Sequence, residues 1–350
     1  MKPLVSILIP AYNAEPWIRE TIQSALAQTW PRKEIIVVND GSTDRTLEIA
    51  RTFLPQIKVV STTNRGLSAA VNLAFRLCHG DYIQELDADD LLLPDKIERQ
   101  LGALRDGESK RLLLSSPWAP FYHRKHIARF IKNSFWEDLT PVEWLLRKMK
   151  EGTHMQNATW LVSREIAEAA GPWDESLQYD QDGEYFTRVL VASEGTRFVP
   201  ETGILYRITG TNRVSYIGAS DKKKNSLFRS IKSHIYYLLS LEDSERTRKA
   251  CVVYMQMWYG VFYPGSIAIV SELQTLAAEL GGRLEEPELR PKYTWMEPIF
   301  GHEAAQRAQM ALPQLKVAAI RMYDKLMHKI EEDRNPQVIE SIHRVPAERL

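Results

Sequence analysis

The chain has 350 residues, enough for one large α/β domain with a full core and a smaller appended region. Lysine plus arginine equals aspartate plus glutamate at 45 each, so the formal charge is zero and no global field selects nucleic acid as a partner. Cys78 and Cys251 lie far apart among apolar neighbours, which fits reduced thiols in a cytoplasmic chain better than a disulfide framework.

Taken in chain order, MKPLVSILIP carries prolines and an immediate polar continuation, so it reads as a first strand and not as a signal peptide. Strand-like runs LVSILI, EIIVVN, KVVS and DYIQEL then alternate with stretches of helical spacing, such as Ile18, Ile22, Ala25 and Leu26 after Pro16. That alternation predicts a parallel sheet covered by helices. The strands end in Pro10 to Asn13, Asn39 to Ser42, Asn64 to Gly66 and Asp87 to Asp90, and ligands of open α/β sheets bind at such carboxyl ends. Four loops are therefore expected to converge on one crevice.

Thr140-Pro141-Val142-Glu143 combines a cap, a first-turn proline and a carboxylate three residues after the cap, which marks a helix start. A strand ATWLV, a helix SREIAEAAG, a helix from Asp182 to Glu194 and late strands in RFVP and GILYRI complete an α/β part expected to span 1–215. A helical region over 216–330 follows, and 331–350 is polar enough to be partly disordered. Ala250 to Ser271 lacks charge, but Gln256, Gly260, Pro264, Gly265 and Ser266 interrupt it, so it reads as a buried helix and turn and not as a membrane span.

Asp87-Ala88-Asp89-Asp90 directly follows an apolar strand. Strand residues alternate sides, so Asp87 and Asp89 can point the same way, and two such carboxylates suit a hard cation that also bridges phosphates. Helix capping accounts for Asp90 or Asp95 but not for three acids at a strand end. In Asn39-Asp40-Gly41-Ser42-Thr43-Asp44, Asp40 can accept hydrogen bonds from a base or ribose, while Thr43 reads as serving the next helix. Asn64-Arg65-Gly66 is followed by Asn72 about two helical turns on, with small residues Ser68, Ala69 and Ala70 between them.

Ile9 to Asn13, Val38 to Asp44, Asn64 to Gly66 with Asn72, and Asp87 to Asp90, in that order, resemble glycosyltransferase family 2, whose fold is GT-A, a mostly parallel Rossmann-like sheet flanked by helices. The resemblance covers roughly 1–215. It implies that Pro10, Tyr12, Asn13 and Glu15 line the nucleotide pocket, that Asp40 meets the base, and that Ser42, Asn64, Gly66, Asn72 and Ala88 lie on the donor side. It implies that Asp87 and Asp89 hold a divalent metal, Mn²⁺ or Mg²⁺. After Gly171-Pro172-Trp173-Asp174-Glu175, Asp182 matches the general base, while Gln181 stands where the family usually has glutamate. Asp180 is the nearest substitute for the missing charge, and Trp173 is placed with it on the acceptor side.

The resulting expectation is a metal-dependent inverting transferase that moves a sugar from a nucleoside-diphosphate sugar, UDP-sugar first. The acceptor is a hydroxyl of a saccharide, lipid-linked or glycoconjugate molecule, in polysaccharide or glycoconjugate biosynthesis, and nucleic acid is not a partner. A nucleotidyltransferase is the competing enzyme class, although its Gly-rich basic loop has no counterpart in Ala11-Tyr12-Asn13-Ala14. A catalytically silent sugar-nucleotide-binding or scaffold protein is the competing non-enzyme, with Gln181 as its first mark of decay. His154 reads as a satisfied buried imidazole. The basic helix over 222–239 reads as packed on the catalytic part, with peripheral contact to the inner face of a membrane as the minority reading.

Overall fold

Val5–Ala11 (β1) is buried on both faces along its whole length, the pattern of a central parallel strand covered by helices on each side. The computed structural model describes residues 2–105, 109–209, 217 and 220–334. After β1 the chain runs through α1 (Ile18–Leu26), β2 (Lys33–Asp40), α2 (Thr46–Arg51), β3 (Lys58–Thr62), α3 (Leu67–Leu77) and β4 (Tyr82–Glu85). It continues through β5 (Leu91–Leu92), α4 (Lys96–Gly102), β6 (Leu112–Ser115), β7 (Trp118–Phe121), α5 (Pro141–Glu151), β8 (Val162–Ser163), α6 (Arg164–Ala170) and α7 (Gln181–Ala192). β9 (Gly195–Phe198) and β10 (Ile204–Arg207) precede α8 (Asp221–Leu241), α9 (Glu245–Phe262), α10 (Ile267–Glu279), α11 (Glu297–Phe300) and α12 (His302–Arg334).

The main sheet has the order β3-β2-β1-β4-β8, parallel through β4 and antiparallel at β8. Successive strands move outward from β1 to β3, and then β4 returns to the other side of β1. That reversal opens a crevice beyond the carboxyl ends of β1 and β4, where loops of open sheets bind ligands. The small sheets β5-β10-β7 and β6-β9 wall the β4 side. Alternation along β1 sends Ile7 and Ile9 into the core with α1 and α4, while Leu8 joins the opposite core with α3 and α5 to α9.

Several expectations change in the folded chain. ATWLV is not one strand: Asn157–Thr159 is a 3-10 turn and only Val162–Ser163 pairs with β4. The Gln156 side chain accepts a hydrogen bond from Ala158 N, and such local bonding competes with a ladder. The basic helix α8 turns Leu227, Phe228, Ile231, Ile235 and Leu238 into the protein core, so the apolar face of that helix is buried against the catalytic part. Ala250 to Ser271 is the end of α9, a turn and the start of α10, and no described helix is long and apolar enough to cross a membrane. The helix α12 continues to Arg334, past the expected start of the polar tail. The boundary expected at 215 lies outside the described residues, as does 335–350. The Thr140 cap forms as expected, its hydroxyl accepting from Glu143 N ahead of Pro141.

Lys96 is fully buried in α4 and donates to the side-chain oxygens of Gln84 on β4 and Gln100, the latter at 2.7 Å. The two amide nitrogens in turn donate to Ala158 O and Thr159 O, both at 2.9 Å. This network fixes the 157–159 turn against the end of β4. Lys96→Met keeps the apolar stem but leaves two buried carboxamide oxygens without a donor. The substitution is expected to destabilise the fold by about 2–5 kcal/mol, read as a lower urea midpoint at unchanged m-value.

Candidate active site

The crevice is shaped first by backbone constraints. Gly41 has φ +69, and a Cβ there would lie 2.6 Å from Asn64 N, so the loops after β2 and β3 touch only because this residue is glycine. Asp40 ties them further, accepting from Arg65 N at 2.9 Å and Gly66 N at 2.8 Å. The loops after β1 and β2 are sewn together in the same way. Asn13 N donates to Ser42 Oγ at 3.0 Å, Asn13 Oδ1 accepts from Thr43 N at 2.8 Å, and Glu15 accepts from Arg45 N while pairing with its guanidinium. Asn13, Glu15, Asp40 and Ser42 therefore hold the rim in shape, and Tyr12 stands half exposed between them.

Asn72 departs from its expected place. Its amide bonds Trp173 N and O and Glu175, so it braces the 173–175 segment against α3. Trp173 departs too: it is 3% exposed, stacks on Tyr185 at 4.8 Å, and donates its indole N–H to Glu85 at 3.2 Å. A ring enclosed in this way has no face to offer a sugar.

At the end of β4 the side chains alternate. Asp87 and Asp89 reach the crevice wall, whereas Ala88 and Asp90 are buried. Asp90 accepts from Arg207 N at 2.8 Å, and Arg207 Nε donates to Asp89 O at 2.8 Å while its guanidinium pairs with Glu20. Asp90 and Arg207 are thus the frame of the acidic turn. Asn157 Nδ2 donates to both Asp87 oxygens at 3.2 Å. Loss of water, then the charge of Asp89 and, less strongly, that of Asp182, pushes the Asp87 carboxyl up to about 7. Burial likewise raises Glu85, with Asp87 and Asp182 adding to it.

The charge of Asp182 thus reaches both Glu85 and Asp87. Asp182 is exposed in the first turn of α7 and shares a pocket with Lys148, His154, Asp180 and Thr187. Burial lowers His154 below its ordinary value, against the pull of Asp182, and its ring lies 5.6 Å from Trp118. Gln181 is buried, so an uncharged side chain there avoids adding a carboxylate beside Asp180 and the buried Glu184. Asp180 takes a left-handed φ of 58 and folds its carboxylate over Gly183, where a Cβ would come within 2.2 Å of Oδ1. Ser230 of α8 donates to Asp180, and His234 Nε2 stands 3.8 Å away, with its Nδ1 2.9 Å from the Tyr254 hydroxyl of α9. Lys148, Asn157, Ser230, His234 and Tyr254 carry no motif in the sequence, because the fold alone brings them to the site.

Residues 6–169 match the family model described as glycosyl transferase family 2. An uncharacterized glycosyltransferase of Rickettsia typhi is 34% identical over 191 residues, covering 55% of this chain and 60% of the relative. The chondroitin synthase of Escherichia coli is 45% identical over 106 residues, covering 29% of this chain and 16% of the relative. The chain thus spans less than two thirds of the length of these curated relatives. Among solved structures, S. aureus TarS 1-349 in complex with UDP-GlcNAc aligns with TM-score 0.62 at 14% identity, over 79% of this chain and 80% of that one. The mannosyltransferase PcManGT from Pyrobaculum calidifontis, in complex with GDP-Man and Mn²⁺, aligns with TM-score 0.51 at 18% identity, over 90% and 88%. At these identities the structural likeness establishes the fold alone, which is GT-A.

Burial, opposed by Lys148 and reinforced by Asp182, pushes the Asp180 carboxyl up to about 6 from its ordinary 3.8. A carboxyl raised on folding costs stability in full above its folded value and nothing once pH falls below its unfolded value. Asp180→Asn removes that cost while still accepting from Ser230. The variant is expected to melt higher than wild type at about pH 7.5, with the gain gone by about pH 4, as read by differential scanning fluorimetry.

Proposed function

We propose that the chain, whose residues 6–169 match the model of glycosyl transferase family 2, is a metal-dependent inverting glycosyltransferase using a nucleoside-diphosphate sugar. What supports this reading is that Asp182, exposed at the start of α7, is near enough to the end of β4 for its charge to raise both Glu85 and Asp87. Asp182, exposed at the start of α7, takes the proton of an acceptor hydroxyl. The hydroxyl oxygen forms its bond to the anomeric carbon while the bond from that carbon to the diphosphate breaks, and the electron pair leaves with the nucleoside diphosphate. Attack from the face opposite the diphosphate inverts the anomeric centre.

The residues at the end of β4 fit a divalent cation. Glu85, Asp87, Asp89 and Asp90 crowd one strand end, burial disfavours ionisation of Asp87, and one oxygen of Asp90 is buried without a hydrogen-bond partner. Asp87 and Asp89 would hold the ion. Among the described residues no three His, Cys, Asp or Glu side chains form a ready cage, so the remaining ligands would be diphosphate oxygens and water, as hard cations at phosphate sites commonly take. When bound, the cation supplies a Lewis acid that offsets charge on the leaving diphosphate. Asn157 orients Asp87 for that task, and Arg207 fixes the turn that presents Asp89.

The nucleotide is proposed to lie at the rim where Tyr12 is exposed, beside the exposed Asn64 and Gly66 and the buried Pro10. Uridine is the first choice of base because TarS binds UDP-GlcNAc, and guanosine is second because the mannosyltransferase binds GDP-Man. A saccharide-bearing acceptor accords with the chondroitin synthase among the relatives. Gln181 is buried, so its lack of charge follows from its surroundings and is not by itself a mark of decay.

With Mn²⁺ and a UDP-sugar, purified chain is expected to release UDP, and Asp182→Asn is expected to cut turnover by about 10²–10⁴-fold while leaving donor affinity unchanged. Wild-type turnover in that variant would remove Asp182 from the mechanism. Asp89→Asn is expected instead to weaken the response of turnover to added Mn²⁺, read as a rise of roughly tenfold or more in the half-saturating metal concentration.

A further inference from the structure

The outer face of α12 has no partner among the described residues. Leu312, Leu315, Met322, Tyr323 and Leu326 are between 44% and 73% exposed, and with Ala319 they recur at helical spacing along one side. The opposite side is the docked one. There Asp324 accepts from His123 N and pairs with Arg124, and Glu331 pairs with Arg124 again. The exposed stripe is edged by Lys316 on one flank and by Lys325 and Lys329 on the other, all exposed. Just ahead in the chain, Trp295, Ile299 and Phe300 are also largely exposed.

We propose that this face of α12 lies on an anionic lipid bilayer, with the apolar stripe in the headgroup boundary and the lysines against lipid phosphates. Charge decides between a bilayer and a second copy of the chain. Along the stripe itself, from Leu312 to Ile330, the only acid is Asp324, which is committed to Arg124, against Lys316, Arg321, Lys325 and Lys329; Glu331, which also pairs with Arg124, Glu332 and Asp333 follow at the end of the helix. Two copies packed stripe to stripe would set lysine-edged rims against each other, whereas an anionic surface neutralises both edges at once. Lysines flanking a stripe of Leu, Met and Tyr are the composition of an interfacial helix. The apolar face of α8 is spent inside the protein, so the basic surface that could meet lipid is here.

This contact has a bearing on the crevice. Arg124 is followed by Lys125, which pairs with Glu20; Glu20 pairs with Arg207, and Arg207 holds the Asp89 carbonyl. A bilayer-bound α12 would keep the acidic end of β4 near the surface, where a lipid-linked acceptor would be found. Only that consequence rests on the transferase reading; the lipid contact does not.

The test is co-sedimentation of the full chain, without donor or metal, with vesicles of phosphatidylcholine alone or mixed with phosphatidylglycerol. Wild type is expected to pellet with the anionic vesicles at low salt and to be released at high salt. Leu315→Glu/Met322→Glu/Leu326→Glu is expected to lower the bound fraction by roughly tenfold or more, and Lys316→Gln/Lys325→Gln/Lys329→Gln to lower binding to that on neutral vesicles. All six positions are exposed, so both variants should retain the wild-type circular dichroism spectrum and melting temperature. Ile131→Glu, at an exposed site elsewhere, should bind as wild type. The proposal fails if wild type stays in the supernatant with both vesicle types, or if the two multiple variants pellet as wild type does. It fails also if wild type is a dimer that the glutamate variant splits while neither protein binds vesicles, which assigns the face to a second copy.

Discussion

Keeping several carboxylates together at a partly dry strand end is the constraint on which the rest of this structure depends. Glu85, Asp87, Asp89 and Asp90 leave β4 within a few residues of one another, and each would repel the next if left to itself. The protein separates their duties. Asp90 is turned inward onto the backbone of Arg207, Glu85 receives the indole of Trp173, and Asp87 is clasped by Asn157. What stays less buried at that strand end is the pair Asp87 and Asp89, the two carboxylates proposed above to seat a cation.

Those supports explain why the helical part cannot be treated as an appendage. α8 and α9 share one core with α5 and α7, and Ser230 and His234 of α8 reach Asp180, two residues from Asp182, with Tyr254 of α9 bonded to His234 behind them. The burial of Lys96 has the same logic on the other side, since its two glutamine partners hold the turn that carries Asn157. Asp180 and Asp87 are thus each positioned by residues far away in the chain.

The sheet was legible from the sequence because burial on both faces leaves a continuous apolar run in β1 and β2, and because each run ends in residues that only turns favour. The crowding at the rim was not legible, because Gly41 reads as an ordinary turn residue until Asn64 N is seen 2.6 Å from where its Cβ would lie. ATWLV misled because the side chain of Gln156 bonds its neighbouring backbone, an effect that apolar pattern does not register. Trp173 misled because its position in the chain says nothing of Tyr185, which covers its ring. Lys148, His234 and Tyr254 sit in ordinary helical patterns, and only the packing of distant helices makes them neighbours of the site. The stripe on α12 was hidden for a similar reason: its residues look like core until the docked side, anchored by Asp324, is known.

The central claim is that Asp87 and Asp89 seat a cation facing Asp182 in one crevice. Anomalous diffraction from crystals grown with Mn²⁺ and UDP tests it most directly. The account predicts one manganese peak at the Asp87 and Asp89 carboxylates, touching the diphosphate, with Asp182 across the same opening. A peak elsewhere, or diphosphate bound in the crevice with no manganese beside it, would contradict it.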